Sequence, residues 1–130
     1  IMLDDTHPKV YNLDNVDKTK NVYVLEGPFD SEFVKNSIAM CGADVNLTKL
    51  NISYPVYVYD NEPRNKEILR RMNSVIERGY SIVIWPDNIK EKDINLMVMS
   101  GLNVMSIIEN NTYNGLKAKL QFNFWKKKQL

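Results

Sequence analysis

The sequence predicts an α/β fold, in which an open, mainly parallel sheet of four strands carries helices on both faces. Short apolar runs alternate with longer stretches whose apolar residues recur at helical spacing, and this alternation is typical of a parallel sheet with crossover helices. The run at residues 80–85 is almost continuously apolar or β-branched, as expected of a strand covered on both faces. The predicted architecture is therefore Rossmann-like, with right-handed crossovers.

The elements are predicted in the order β-α-(β)-β-α-β-α-β-α. The four strands are the apolar runs at residues 22–25, 56–59, 80–85 and 102–108, and residues 43–52 hold a further short strand or an irregular crossing. The helices have apolar residues three and four apart, at residues 30–41, 63–78, 90–100 and 113–124.

Proline and glycine mark the ends of the predicted helices. Gly42, Gly79 and Gly101 end the first three helices, and Pro63 lies near the first turn of the second. The last helix aligns Leu116, Leu120 and Phe124 at positions i, i+4 and i+8. In the polar segment before residue 21, the residues around Val10, Tyr11 and Leu13 predict a short edge strand.

Size and composition fit one globular domain. The 130 residues suffice for a single core, and the apolar and charged fractions of 44% and 25% are ordinary. The formal net charge is +1, so bulk charge argues neither for nor against nucleic-acid binding. One cysteine excludes an internal disulfide and a cysteine-based zinc site. Because the chain does not begin with methionine, we expect an excised or tagged domain.

Acidic side chains follow three of the predicted strands, at the point where each strand ends. Glu26 follows the first strand, Asp60 and Glu62 follow the second, and Asp87 follows the third. The carboxyl ends of parallel strands meet at one edge of a sheet, where ligands bind in open α/β folds. Neighbouring carboxylates repel one another, and a hard divalent cation relieves that repulsion. The sequence therefore predicts a Mg²⁺ site, with Mn²⁺ as a substitute.

Further candidates lie at the starts of two predicted helices. Lys92 and Asp93 lie in the first turn of the helix predicted at residues 90–100, where the dipole favours an anion and a lysine could meet a phosphate. A metal ion, a carboxylate and a lysine together are typical of phosphoryl transfer. Asp87 and Asp93 are secondary candidates in this site. For Asp30 and Asp93, a helix cap is the simpler alternative.

Basic and aromatic residues offer a second, weaker signal. The predicted helix at residues 63–78 carries basic side chains that could meet phosphates, the alternative being a solvated face: Arg64, Lys66, Arg70 and Arg71. Tyr57, Tyr59 and Trp85 are predicted as core or strand-face residues rather than base-stacking platforms.

Three short motifs resemble the TOPRIM domain, the catalytic module shared by DnaG-type primases, topoisomerases and some nucleases. Residues 26–30 read Glu-Gly-Pro-Phe-Asp and match the family pattern Glu-Gly-x-x-Asp. Residues 60–62 read Asp-Asn-Glu, where the family has Asp-x-Asp. Residues 92–95 read Lys-Asp-Ile-Asn and resemble the Lys-Asp-x-Asn run of phage primase-helicases. The resemblance covers residues 20–110 and is nearest to DnaG-type and bacteriophage primases.

The resemblance implies a TOPRIM-like fold and a role for each matching residue. Glu26 would act as general acid and base and would also belong to the Mg²⁺ ligand set. Asp60 and Glu62 would hold the metal ion, with Asp30 in support. Lys92 would be a catalytic residue close to a phosphate. The domain division that follows is an N-terminal extension or edge segment at 1–20, a catalytic domain at 21–110, and a C-terminal helix with a basic tail at 111–130.

Three functions are compatible with this resemblance. The favoured one is the catalytic domain of a phage-type DNA primase, which makes RNA primers from nucleoside triphosphates on single-stranded DNA. A replicative helicase or other replication proteins would then be further partners, in the cytoplasm of a phage-infected bacterium and without a membrane. The alternatives are a TOPRIM nuclease that cleaves DNA or RNA, and an inactive module that binds nucleic acid or protein.

Overall fold

Five strands form one sheet in the computed structural model, which describes residues 12–40 and 51–127. The strands are β1 (Val22–Leu25), β2 (Ser37–Ala39), β3 (Pro55–Tyr57), β4 (Ser81–Val83) and β5 (Thr112–Tyr113). Their order across the sheet is β2-β1-β3-β4-β5, and only β5 runs antiparallel to its neighbour. The predicted α/β class and mainly parallel sheet are confirmed, but the sheet has five strands where four were predicted.

Helices cover both faces of the sheet, as predicted. The helices are α1 (Lys66–Glu77), α2 (Ile94–Met99), α3 (Val104–Asn110) and α4 (Gly115–Trp125), with short 3-10 helices at Leu13–Asn15 and Pro28–Glu32. Alternate residues of the strands serve the two faces. Val83 and Trp85 pack in the cluster that includes α2 and α3, whereas Ile82 and Ile84 pack in the cluster that includes α1 and α4.

The predicted helix at residues 30–41 is wrong. The chain makes the 3-10 helix Pro28–Glu32 and then the strand β2, which pairs in parallel with β1. The break lies at Asn36, whose φ of 53° is in the left-handed region. Its side-chain amide donates to the carbonyls of Asp17 and Asn21 at 3.1 and 2.7 Å, which stabilises the turn. Apolar residues spaced for a helix are therefore buried by a turn and a strand.

The predicted strand at residues 102–108 is also wrong, because the chain forms the helix α3 there. The Asn103 side chain caps this helix by accepting a hydrogen bond from the Ser106 amide at 3.1 Å. Val104 and Ile108 lie one turn apart and are both buried. The sheet is instead extended by β5, whose Thr112 hydroxyl donates to the Ile108 carbonyl at 2.8 Å.

The remaining predicted elements are present with shorter bounds or lie outside the described residues. Helix α4 buries Ala118, Phe122 and Trp125, while the aligned Leu116, Leu120 and Phe124 are exposed. The predicted edge strand at Val10 and Tyr11, the stop at Gly42 and most of the predicted crossing at 43–52 lie outside the described residues. Leu13 belongs to a 3-10 helix. No helix in the described ranges has the length and apolar character needed to cross a membrane.

Replacement of Asn103 by alanine is expected to lower the free energy of unfolding by about 1 kcal/mol, because the α3 amino terminus loses its side-chain cap. Urea denaturation followed by circular dichroism measures this change. Asn103→Ser, which keeps a capping oxygen, is the matched control and should stay within about 0.5 kcal/mol of the original protein. Equal losses in both variants would contradict the capping role.

Candidate functional site

Five carboxylates gather at the carboxyl edge of the parallel strands, and we refer to them as the acidic cluster. Two strands and two helix starts position the members, which are Glu26 after β1, Asp60 and Glu62 after β3, Asp30 in the 3-10 helix Pro28–Glu32, and Asp93 at the N-cap of α2. The parallel register of β1 with β3 brings these ends together, because Val24 pairs with Tyr57. The grouping follows directly from the topology.

Burial and neighbouring carboxylates raise the pKa values of Asp60 and Asp30. Burial is the largest cause that raises the pKa of Asp60 to about 7, and four carboxylates add to it: Glu26, Asp30, Asp93 and Glu62. Burial, followed by the charges of Asp93 and Glu26, raises the pKa of Asp30 to about 6. The neighbouring charges named here for Asp60 and Asp30 are all negative, so a cation would be favoured there.

Glu26 stands between two cavities at the centre of the acidic cluster. A cavity of about 430 Å³ lies on its α1 side, and one of about 730 Å³ lies on the side of Asp30 and Asp93. Burial raises the pKa of Glu26, while a hydrogen bond from the Asp60 backbone amide and the charge of Arg71 oppose that rise. The Arg71 Nη1 lies 3.8 Å from the Glu26 Oε2. Glu26 is therefore half-buried, and its surroundings include effects that favour the protonated carboxyl and effects that favour the carboxylate.

A buried amide, Asn61, fixes the loop that carries two members of the acidic cluster. Its backbone amide donates to the Lys92 carbonyl at 2.7 Å. Its side-chain nitrogen donates to the carbonyls of Ile89 and Glu91 at 3.0 and 3.1 Å. Its side-chain oxygen accepts a hydrogen bond from the Trp125 indole at 2.9 Å. The side chain is 7% exposed, so these bonds orient the flanking acids toward the cavities.

A second indole supports the same strand end. The Trp85 Nε1 donates to the Tyr59 carbonyl at 2.8 Å, one residue before Asp60. Trp85 and Trp125 are each 2% exposed, so both rings lie in the core. The one N–H group of each indole donates a hydrogen bond to a residue that follows β3. Sequence reasoning did not identify Asn61 or Trp125, because no local pattern marks a bond between residues this far apart.

The structure brings most of the predicted acidic residues together, with one exception. Asp93 accepts a hydrogen bond from the Leu96 amide at 2.8 Å, so it caps α2 as well as facing Asp30 and Asp60. Lys92 is exposed beside it. Asp87 is exposed and lines a separate cavity of about 260 Å³ next to α4.

The predicted basic residues lie at the amino-terminal half of α1 and in the turn before it. Arg71 bridges the surface and the acidic cluster, since its Nε also donates to Glu67 at 3.0 Å. Arg70 pairs with the same Glu67 carboxylate. Arg64 and Lys66 are exposed. Of these four side chains, Arg71 lines the cavity on the α1 side, and Arg70 and Arg71 line a smaller neighbouring cavity.

The chemistry of the acidic cluster suits a hard cation, although its geometry is open. All its side-chain ligands are carboxylate oxygens, which Mg²⁺ prefers. Within residues 12–40 and 51–127, no three acidic, histidine or cysteine side chains close around a single point as a formed metal cage would. Protein Mg²⁺ sites commonly use one or two carboxylates and leave the other positions to water and phosphate. The donor set fits that open kind of site.

Fold and site together define an α/β protein whose candidate site lies at the carboxyl edge of a mainly parallel sheet. The chain is 34% identical over 125 residues to the DNA primase of Enterobacteria phage T4. The match covers 92% of this chain and 36% of that primase, so the chain spans about a third of the length of this relative. This similarity supports a relationship with phage DNA primases. No model of a known protein family matches the chain.

Replacement of Asn61 by alanine is expected to lower the free energy of unfolding by about 2–4 kcal/mol. The change leaves the buried Trp125 indole without its acceptor and two carbonyls without their donor. Urea denaturation measures the loss. The exposed Asn73 of α1 provides the matched control, and Asn73→Ala should change stability by less than about 0.5 kcal/mol. Similar effects of the two replacements would contradict the role of Asn61.

The protein should lose stability as the pH rises from about 4 to about 7 in buffer free of divalent ions. Asp60 and Asp30 have pKa values of about 7 and about 6 in the folded state and 3.8 as the ordinary value, so their ionisation favours the unfolded chain. Both groups are partly solvated, and we expect a discounted loss of about 1–2 kcal/mol over this pH range. Urea denaturation at each pH measures it.

The control for this pH dependence is a pair of matched replacements. Asp60→Asn should flatten most of the slope, because the titrating carboxyl is gone. Asp14→Asn, at an exposed position in the first 3-10 helix, should leave the slope unchanged. A slope that is the same in Asp60→Asn as in the original protein would assign the pH dependence to other groups.

Proposed function

We propose that this chain is a TOPRIM-type catalytic domain of a phage DNA primase and joins ribonucleotides into RNA primers on single-stranded DNA. One observation carries the proposal, namely the acidic cluster at the ends of β1 and β3, in which Glu26 and Asp60 match the resemblance and Glu62 stands where the family has aspartate. The similarity to the phage T4 DNA primase over 92% of the chain supports the same reading.

In this proposal the acidic cluster would hold Mg²⁺, or Mn²⁺ as a substitute. Asp60 and Glu62 are the proposed ligands, with Asp30 and Glu26 within the same group of charges. When bound, the ion would neutralise charge on the transferring phosphate and orient its oxygens. The raised pKa values of Asp60 and Asp30 support a cation, since both carboxylates gain by ionising next to one.

Glu26 is the proposed general acid and base. Burial raises its pKa toward the working range of proton transfer, and the Asp60 backbone amide holds its carboxylate in place. The proton of the attacking hydroxyl would pass to Glu26 as the new phosphodiester bond forms, the α–β phosphoanhydride bond of the nucleoside triphosphate breaks and pyrophosphate leaves. Arg71, 3.8 Å away, would stabilise the ionised form before that transfer. Because Glu26 borders both cavities, substrates on either side could reach it.

Basic side chains on two sides of the acidic cluster are proposed to hold the anionic substrates. Lys92 directly follows the segment whose carbonyls, at Ile89 and Glu91, accept hydrogen bonds from the Asn61 side chain. Its exposed amine would meet a phosphate on that side of the acidic cluster. The basic side chains on α1 and in the turn before it are the proposed contacts to the nucleic-acid backbone, and such phosphate contacts are salt-sensitive: Arg64, Lys66, Arg70 and Arg71. Nucleoside triphosphates and the template strand are thus the proposed partners, together with a replicative helicase or other replication proteins in the cytoplasm of an infected bacterium.

Mn²⁺ titration tests the metal part of the proposal, with electron paramagnetic resonance reporting free Mn²⁺. The original protein should bind the ion with nucleoside triphosphate present, and Asp60→Asn should weaken binding by about tenfold or more because a carboxylate ligand is lost. Glu77→Gln, an exposed acid at the far end of α1, is the matched control and should bind as the original does. Equal binding by all three proteins would contradict the assigned ligands.

Primer synthesis tests the reaction itself. The chain is incubated with a single-stranded template, Mg²⁺ and labelled ribonucleotides, and Glu26→Gln is expected to abolish product while the fold, followed by circular dichroism, is kept. Cleavage of the labelled strand without primer formation would favour the nuclease alternative. Neither product, despite Mn²⁺ binding that depends on Asp60, would favour a binding module.

A further inference from the structure

The outer face of α4 is an apolar stripe without a partner in the described part of the chain, and we call it the outer stripe. It consists of Leu116, Leu120 and Phe124, whose exposed fractions are 73%, 50% and 68%. Residues four apart lie on one side of a helix, so the three side chains fall within about 80° of arc. Single exposed apolar residues are ordinary, whereas an aligned group of large ones is typical of an interaction surface.

The core of the domain does not need the outer stripe. Helix α4 buries its opposite face, where Ala118, Phe122 and Trp125 are at most 4% exposed. This inner face packs in one cluster with α1 and β4. A helix that packs on its own domain with one face ordinarily has a polar outer face. The apolar outer face of α4 is therefore typical of a surface that another protein segment covers.

The charges around the outer stripe indicate the kind of partner. Exposed Lys117 and Lys119 lie on its two sides, and Lys127 follows the end of the helix. Residues 115–127 contain no acidic side chain. A second copy packed helix against helix would oppose lysine to lysine, which is unfavourable. A surface with acidic side chains beside its apolar ones is complementary.

A pocket lies next to the outer stripe. A cavity of about 260 Å³ opens beside the outer stripe, lined on the helix side by Gln121 and Phe124, on the sheet side by Trp85 and Tyr113, and in the loop after β4 by the exposed Asp87. Interface side chains that contribute most to affinity commonly insert into such pockets. A straight apolar stripe with a pocket along one side matches the way an amphipathic helix is held by its residues at i, i+3, i+4 and i+7.

We propose that the outer stripe of α4 docks an amphipathic helix of a partner protein, whose apolar residues pack on Leu120 and Phe124 and whose flanking acidic side chains pair with Lys117 and Lys119. The partner is a protein helix rather than a nucleic acid, because the centre of the surface is apolar and its charges lie only at the edges. The inference does not depend on the proposed catalytic function, since none of these residues belongs to the acidic cluster.

A designed peptide tests the proposal directly. The probe is a fluorescent helix of about 18 residues with leucines at helical spacing and flanking glutamates, and its twin carries lysine at every glutamate position. Fluorescence anisotropy should show saturable binding of the glutamate peptide and binding of the twin that is about tenfold weaker or less. Lys117→Glu together with Lys119→Glu should reverse this preference.

Matched variants locate the contact. Leu120→Ser and Phe124→Ser should each weaken binding of the glutamate peptide by about tenfold, and both side chains are exposed, so the fold should persist by circular dichroism. Met99→Ser removes an equally exposed apolar side chain on α2 and should leave binding unchanged.

Four results would overturn the proposal. The first is equal binding of the two peptides, and the second is unchanged binding by Leu120→Ser and Phe124→Ser. The third is a dimer in analytical ultracentrifugation that Leu120→Ser dissolves, which would assign the surface to a second copy. The fourth is binding to anionic phosphatidylserine vesicles or to single-stranded DNA without binding to the peptide.

Discussion

The side chain of Asn61 holds three parts of the chain together at the point where β3 ends. It joins the loop at Ile89 and Glu91 to the indole of Trp125, and its own position lies between two acids of the cluster. An amide this deeply buried is costly unless its donors and acceptor are satisfied, and here both kinds are. Since the amide points inward, Asp60 and Glu62 on either side of it must point elsewhere. The position of the candidate site therefore depends on hydrogen bonds made inside the core.

The acidic cluster itself works against stability. Burial and mutual repulsion raise the pKa of Asp60 to about 7, whereas at Glu26 the Asp60 backbone amide and the charge of Arg71 oppose the rise in pKa. The fully buried strand β1 and the parallel register of β1 with β3 fix the two strand ends next to each other regardless of that repulsion. A group of like charges that the sheet holds in place is more typical of a functional site than of a structural one. The acidic cluster is therefore a stronger indication of a functional site than the cavities alone.

The sequence predicted the strands β1, β3 and β4 and the helix α1, because their apolar patterns fit a single kind of element. The prediction from sequence failed where one apolar pattern fits two kinds of secondary structure. The apolar spacing of Val34 and Ile38 suits a helix, but the left-handed turn at Asn36 makes it a turn and a strand. The run at 102–108 suits a strand, but the Asn103 cap makes it a helix. For the site, strand order sufficed to group Glu26 with Asp60 and Glu62. The contribution of Trp125 could not be predicted, because it rests on a contact between residues 64 positions apart.

Helix α4 connects the candidate site with the surface of the molecule. On its inner face the Trp125 indole donates to Asn61, and the Phe122 ring stacks beside that indole. The Lys126 amine lies 5.1 Å from the centroid of the Phe122 ring. Its outer face bears Leu116, Leu120 and Phe124. Both faces belong to eleven consecutive residues, Gly115–Trp125, which form one helix. The hydrogen bond from Trp125 to Asn61 consequently joins the helix that bears the outer stripe directly to the residue between Asp60 and Glu62.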